Sequence, residues 1–396
     1  MKFWRALLRP LLATQPTPFY LFSASPLEEA LHELEAAFAR LPVRHWLSFK
    51  TQPFPPLLRW WQRRGGVEVV SRFELQAALA AGFEPAEILV NGPAKHHWLA
   101  EEGRRRLKVN FDSVAEARAL ARMAHRLDWN CGLRLQTNEE FDPEAPEFPT
   151  QFGLSPAEAH EARRVLLKAG ARLETLHFHL RTNVASPEIY QRALSEAAEF
   201  CRATGFAPLH IDVGGGFPAP NVWSRGGQRL DAAFSLPAMA KVYTRALKSF
   251  PGARELWLEN GRWVSARSGV LVVKILDAKD RRGMRSLICD GGRTLHALVS
   301  TWERHRLFSV PDRRGATQLT TVHGPTCMAF DQLARCELPH ALRPGDHLVW
   351  MDAGAYHLPW ETKFSHGLAA ILWHDGRRVT LARPSQTFTE FFAQLG

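Results

Sequence analysis

The chain has 396 residues, 45% hydrophobic and 23% charged, a composition that excludes disordered and collagen-like classes and points to two globular domains or one barrel with an addition. Its formal charge of +10 comes with basic runs that are short and far apart (Arg104–Arg106, Arg281–Arg282, Arg313–Arg314), so no nucleic-acid partner is expected and a field drawing an anionic substrate or phosphate cofactor fits better. Five scattered cysteines without a C-x-x-C pair indicate neither a metal site nor a disulfide framework, no apolar run reaches the length of a membrane span, and a cytoplasmic protein is expected.

Residues 1–24 are mildly basic and apolar, and Arg5, Arg9 and Pro10 interrupt the run, so it lacks the core of a signal peptide. Within it, Pro18-Phe19-Tyr20-Leu21-Phe22 is strand-like and is expected to join a later β domain. Ser25-Pro26-Leu27-Glu28 reads as a capping box, followed by Leu27, Leu31, Leu34 and Phe38 at helical spacing. Eight short apolar runs then read as strands: His45–Phe49, Val67–Val70, Glu87–Val90, Leu107–Asn110, Gly132–Leu135, Leu173–Phe178, Leu209–Val213 and Leu256–Glu259. Helices fall between them, among them Phe73–Ala81 closed by Gly82, the stretches capped at Ser113 and Ser155, Pro187–Thr204 and Leu236–Phe250.

Strands alternating with helices imply parallel βαβ units, and eight of them match a closed (β/α)₈ barrel, here spanning 25–265, with an open doubly wound sheet as runner-up. From 266 to 396 the pattern changes to strand-like runs separated by turns, which predicts a mostly β C-terminal domain.

In a barrel the chemistry sits at the C-terminal ends of the strands. Lys50 follows the first predicted strand, Glu68 lies in the second, Arg134 in the fifth, and His177-Phe178-His179 ends the sixth. The seventh runs into Gly214-Gly215-Gly216, and the eighth into Glu259-Asn260-Gly261-Arg262. Each alone has a structural reading: a solvated lysine, a core histidine, a flexible loop, a surface ion pair. Together at one rim they describe a site. Three glycines let backbone N–H groups approach a phosphate, and Arg262 adds charge to the same group. A lysine at a dry rim forms a Schiff base with an aldehyde, and a carboxylate keeps a pyridine nitrogen protonated. Pyridoxal 5'-phosphate (PLP) carries all three of those partners, so Lys50 and Glu259 point to it.

At these residues the sequence resembles the fold-type III PLP-dependent decarboxylases, which include ornithine, diaminopimelate and carboxynorspermidine decarboxylases, over about 17–367. The most specific match is Ile211-Asp212-Val213-Gly214-Gly215-Gly216-Phe217-Pro218; Ser48-Phe49-Lys50, His177-Phe178-His179 and Glu259-Asn260-Gly261-Arg262 add to it. In the β domain Gly324-Pro325-Thr326-Cys327 and Asp352-Ala353-Gly354-Ala355-Tyr356 also match. The resemblance implies an amino-acid decarboxylase of this barrel-plus-β fold, working as a homodimer with shared active sites. By the same resemblance Lys50 carries the cofactor, His179 stacks on its ring, Glu259 meets the ring nitrogen, and Thr182 stands in for a family serine. Gly214, Gly215, Gly216, Gly261, Arg262 and Tyr356 surround the phosphate, with Glu68 and Arg134 near the cofactor. Cys327 is expected to protonate the product carbon from the partner subunit.

The departures lie at the substrate end. Met328 stands where diamine-forming members carry Asp or Glu, Arg181 where a glycine is usual, and His296 lies in a segment faintly like carboxynorspermidine decarboxylase. A desolvated ammonium without a carboxylate is costly, so the expectation is a substrate with an anionic or neutral tail met by Arg181 and Arg293. The competing expectation is that Asp331 or Glu303 takes over the ammonium. A racemase of the same fold is the other alternative, but racemases typically place arginine at the ring nitrogen, where this chain has Glu259.

Overall fold

The computed structural model describes residues 1–141 and 150–395. The chain divides into two compact units. One comprises Leu31–Pro218 and Asp231–Gly261; the other comprises Met1–Ala30, Ala219–Leu230 and Arg262–Gly396.

The first unit is a closed eight-stranded barrel. Its strands, in order, are Val43–Ser48, Gly66–Val69, Ile88–Val90, Lys108–Phe111, Asn130–Arg134, Arg172–His177, His210–Asp212 and Glu255–Asn260. Every neighbouring pair is parallel, and the eighth closes on the first with Leu256 opposite Val43 and Asn260 opposite Leu47. The barrel interior is packed: Trp46, Leu89 and Trp257 form one buried cluster, with the two indoles 4.9 Å apart between centroids. Local sequence explains several helix starts. Ser71 accepts from the Glu74 N–H, Ser113 from the Glu116 N–H, and Ser155 and Glu158 make a reciprocal capping box. Each such cap contributes about 1 kcal/mol. The helix after the first strand, Pro55–Trp61, escaped the sequence reading because Phe54-Pro55-Pro56 looks like a turn; the prolines instead occupy the first helical turn, where a missing N–H costs nothing.

The second unit is a nine-stranded sheet with its own core. Its spine is the strand Gly269–Arg281, which pairs antiparallel with Phe19–Ser23, Met284–Cys289 and His347–Trp350. Phe19–Ser23 is buried along its whole length and also pairs parallel with Ala370–His374. The helix Lys2–Leu11 buries Trp4 and Leu8, four residues apart, in the same core as Phe19, Leu21, Val270 and Val349.

Two expectations are corrected here. The helix after the first sheet strand begins at Ala24, and it is Ser23 Oγ that accepts the Ser25 N–H, so Ser25 is inside the helix rather than capping it. Residues 219–230, assigned from sequence to the barrel, belong to the β unit, where Trp223–Ser224 pairs antiparallel with Glu303–Arg304. Among the described residues no helix is long and apolar enough to cross a membrane.

Candidate active site

The barrel's C-terminal rim surrounds a cavity of about 680 Å³ lined by Lys50, Glu68, Asn91, Arg134, Glu140, Phe152, His177, His179, Arg181, Thr182 and Glu259. Its volume is that of a small-molecule site.

Lys50 lies on a turn of 3₁₀ helix, Phe49–Thr51, directly after the first strand. Its Nζ donates to both Glu68 oxygens (2.9 and 2.7 Å) and to Ser48 Oγ (2.9 Å). Ser48 Oγ donates in turn to Glu68 at 2.5 Å. Strand pairing sets this up: Ser48 faces Glu68 across the first two strands. From Glu68 a buried polar chain runs around the barrel. Asn91 Nδ2 donates to Glu68 (3.2 Å) and to Glu259 (2.5 Å), Asn110 donates to Asn91 (3.0 Å) and to Asp212 (3.1 Å), and Asp212 accepts the Gly214 N–H (3.0 Å).

Glu259 is at the centre. It is 4% exposed, and both His177 Nε2 and His179 Nδ1 lie 3.4 Å from its oxygens. Burial alone would push its carboxyl up, but the two histidines and Lys50 outweigh that and hold it well below the usual carboxylate range. Asp212, wholly buried, is driven the other way by desolvation and by the Glu259 charge, so of these two carboxyls Glu259 is the ionised one. Burial also pushes His177 down to about 3, and neither of its ring nitrogens has a hydrogen-bond partner.

The glycine triplet forms a cradle closed to side chains. Gly214 (φ 64°) and Gly216 (φ 97°) have left-handed backbones. A Cβ on Gly214 would stand 2.6 Å from His179 Nδ1, on Gly215 2.6 Å from the Glu259 carbonyl oxygen, and on Gly216 2.7 Å from the Arg181 carbonyl oxygen. The Gly215 N–H donates to His179 Nδ1 at 3.2 Å, which leaves the ring proton on Nε2. A deprotonated carboxyl, a turned imidazole, a lysine amine and this bare backbone match the pyridinium nitrogen, ring face, aldehyde and phosphate of PLP, so the residues fit the group.

Gly261 accommodates the Thr51 side chain, whose Oγ1 would lie 2.6 Å from any Cβ there. Arg134 stacks over Phe152 at 4.5 Å and lies 3.6 Å from Asp112 and 3.8 Å from Glu140. Burial, only partly countered by Arg134, raises Glu140 to about 7. Arg181 turns one guanidinium nitrogen onto the carbonyl oxygens of Glu139 (2.9 Å) and Phe141 (3.1 Å), while Thr182 is exposed in the cavity wall.

In the β unit, Arg262 pairs with Glu303 (2.7 Å) and packs over the Tyr356 ring at 4.9 Å. Cys327 is exposed and Met328 half-buried on a loop stapled by Asp331, which accepts from Arg293 N (2.6 Å), Thr326 N (3.1 Å) and Thr326 Oγ1 (2.6 Å). Arg293 also donates to Thr301 Oγ1 (2.8 Å) and covers the Phe330 ring. His296 is corrected as a substrate contact: its side chain is wholly buried against His357, His305 and Trp350 and offers no surface to a ligand.

Asn91 and Asn110 were not picked out as site residues from sequence. Asn91 opens Asn91-Gly92-Pro93, which reads as a turn, although it is also the first polar residue past the third strand, where barrel chemistry concentrates.

Residues 25–266 match the family model described as "Pyridoxal-dependent decarboxylase, pyridoxal binding domain". The chain belongs to this family. Among relatives of this decarboxylase, a diaminopimelate decarboxylase of Deinococcus radiodurans is 30% identical over 386 residues, covering 95% of each chain. One from Haemophilus influenzae is 25% identical, covering 95% of this chain and 92% of its own. A crystal structure of diaminopimelate decarboxylase from Helicobacter pylori complexed with L-lysine has the same fold, with a TM-score of 0.85 at 21% identity, covering 98% of this chain and 99% of the other. The decarboxylase is therefore a PLP-dependent carboxy-lyase acting on an amino acid, on a TIM-type barrel joined to a β-sheet domain.

Proposed function

We propose that this decarboxylase removes the α-carboxylate of an amino acid whose far end carries an anionic or neutral group rather than a simple ammonium. The observation that carries the reading is that the carboxylates available for such an ammonium are already engaged. Asp331, 2% exposed, staples its own loop; Glu303 holds Arg262 and His305; Glu68 holds Lys50; Glu259 is held by Asn91. Glu140, the remaining carboxyl of the cavity, is shifted toward its neutral form beside Arg134. Relatives named for diaminopimelate, a compound with a carboxylate at both ends, support the same direction.

In this reading Lys50 carries the cofactor, with Glu68 taking the proton that its amine must shed. Glu259 faces the pyridine nitrogen with its charge held by Asn91, and His179 is fixed beneath the ring by the Gly215 N–H. Gly214–Gly216, Gly261, Arg262, Tyr356 and Thr182 serve the cofactor's polar edge, and Arg134 keeps the Phe152 wall in place. Bound there, PLP supplies the aldehyde that takes the substrate amine and the ring that accepts the electrons left when CO₂ departs. Cys327, exposed on its loop, delivers a proton to the product carbon in the site of a partner subunit, which makes the working unit a homodimer. The five free cysteines suit a reducing, cytoplasmic setting.

Release of CO₂ from lysine, ornithine, meso-diaminopimelate and Nω-succinylated lysine tests the substrate class. The carboxylate-tailed compounds are expected to exceed lysine and ornithine by at least tenfold in kcat/KM. Arg181→Ala should remove about tenfold of that advantage through KM, the scale of one charge-assisted hydrogen bond. Lysine or ornithine as the best substrate, with Arg181→Ala silent, would overturn the proposal.

A further inference from the structure

Three histidines far apart in sequence meet in the core of the β unit. His296 precedes the short helix Ala297–Thr301, His305 follows the strand Glu303–Arg304, and His357 follows Tyr356. One ligand atom from each lies within 4.8 Å of the others. His296 and His357 are 0% and 2% exposed, and the His305 side chain is 1% exposed.

Hydrogen-bond accounting shows where their lone pairs point. His305 Nδ1 lies 3.0 Å from the Met351 carbonyl oxygen, and His357 Nδ1 lies 2.9 Å from the Ala355 carbonyl oxygen. A carbonyl only accepts, so both Nδ1 atoms carry hydrogens and a neutral ring presents a lone pair at Nε2. His357 Nε2 is in contact with His296 Nδ1, and His305 Nε2 is 2.9 Å from Glu303 Oε2. A neutral His305 therefore sets a lone pair against a carboxylate oxygen, and His296 Nε2 is buried without a partner. Backbone carbonyls fixing Nδ1–H so that Nε2 points inward is the outer-shell arrangement of metal-binding histidines.

We propose that His296, His305 and His357, with Glu303 Oε2 as fourth donor, bind a zinc ion. Three nitrogens and one carboxylate oxygen, closed off from solvent and without sulfur, suit zinc in a four-coordinate structural site. Bonds of about 2.0–2.1 Å put tetrahedral neighbours roughly 3.3 Å apart, within reach of donors now no more than 4.8 Å apart. The ion acts on the enzyme's chemistry only by positioning. Glu303 Oε1 holds Arg262, Arg262 packs over Tyr356, and Tyr356 is the neighbour of His357 in the chain. The C-x-x-C criterion could not find this site, because its donors are histidines spread over residues 296–357.

The test uses full-length holoenzyme purified without chelators. Elemental analysis is expected to find about one zinc per chain. After stripping with dipicolinate, cobalt(II) should restore a stoichiometric metal with the visible bands of tetrahedral coordination, and zinc should displace it. His305→Gln and His296→Gln should each weaken zinc binding at least 100-fold, while His125→Gln, on a barrel helix, leaves it unchanged. Folded protein that contains no zinc and takes up neither zinc nor cobalt would overturn the proposal and leave a proton-linked hydrogen-bond network. Binding unaffected by both variants would overturn it equally. Should the variants fail to fold, metal content and the cobalt spectrum of the natural sequence decide it alone.

Discussion

Lys50→Ala is expected to lower the rate of CO₂ release by on the order of 10³ or more, because no other amine replaces the covalent anchor. Among the residues lining the barrel cavity Lys50 is the one lysine, and its Nζ is held by Ser48 and Glu68 at 2.7–2.9 Å, so its position is fixed before any ligand arrives. Borohydride treatment of holoenzyme followed by peptide mapping should place a pyridoxyl group on Lys50; a label on another lysine would sink the assignment. The same variant tests the shared dimer. Lys50→Ala chains mixed with Cys327→Ala chains should recover up to about a quarter of natural activity, since half of randomly formed dimers are hybrids and each hybrid has one complete site. Proven subunit exchange without recovery would mean that Lys50 and Cys327 act within one chain.

Glu259→Gln is expected to keep bound PLP but to lower kcat by about 10²–10³, the scale of one preorganised electrostatic partner. The substitution keeps shape and hydrogen-bonding capacity toward Asn91 while removing the buried charge that the two histidines and Lys50 hold ionised. Absorbance of bound cofactor and single-turnover CO₂ release separate binding from chemistry. An unchanged kcat would remove Glu259 from the mechanism.

The barrel was legible because each strand is a short apolar run and each cap is a local pattern: Ser113 with Glu116, and Ser155 with Glu158, lie three residues apart. Its rim was legible for the same reason, since polar residues that end apolar strands stand out at Lys50, His179 and Glu259. What escaped depends on distant partners. Gln332–Pro339 alternates buried and exposed residues only once Thr317–His323 pairs with it, and residues 219–230 gave no sign that they leave the barrel for Glu303–Arg304. Asn91 looked like a turn because its neighbours are Gly92 and Pro93, although its side chain bridges the two central carboxylates. The three histidines share no spacing, so only the folded β unit brings them together.

The strand Phe19–Ser23 sets an order of events during synthesis. Phe19 pairs with Val272 and with Ala370, so this apolar strand leaves the ribosome about 250 residues ahead of one neighbour and about 350 ahead of the other. At 5–20 residues per second the second interval is roughly 20–70 s. Throughout it the barrel strands can close among themselves, since all lie between Val43 and Asn260, while a five-residue apolar segment with both edges unpaired waits in solution. Expression yield of this enzyme should therefore depend on the speed of translation after residue 261 and on chaperones that shield the nascent N-terminal strand.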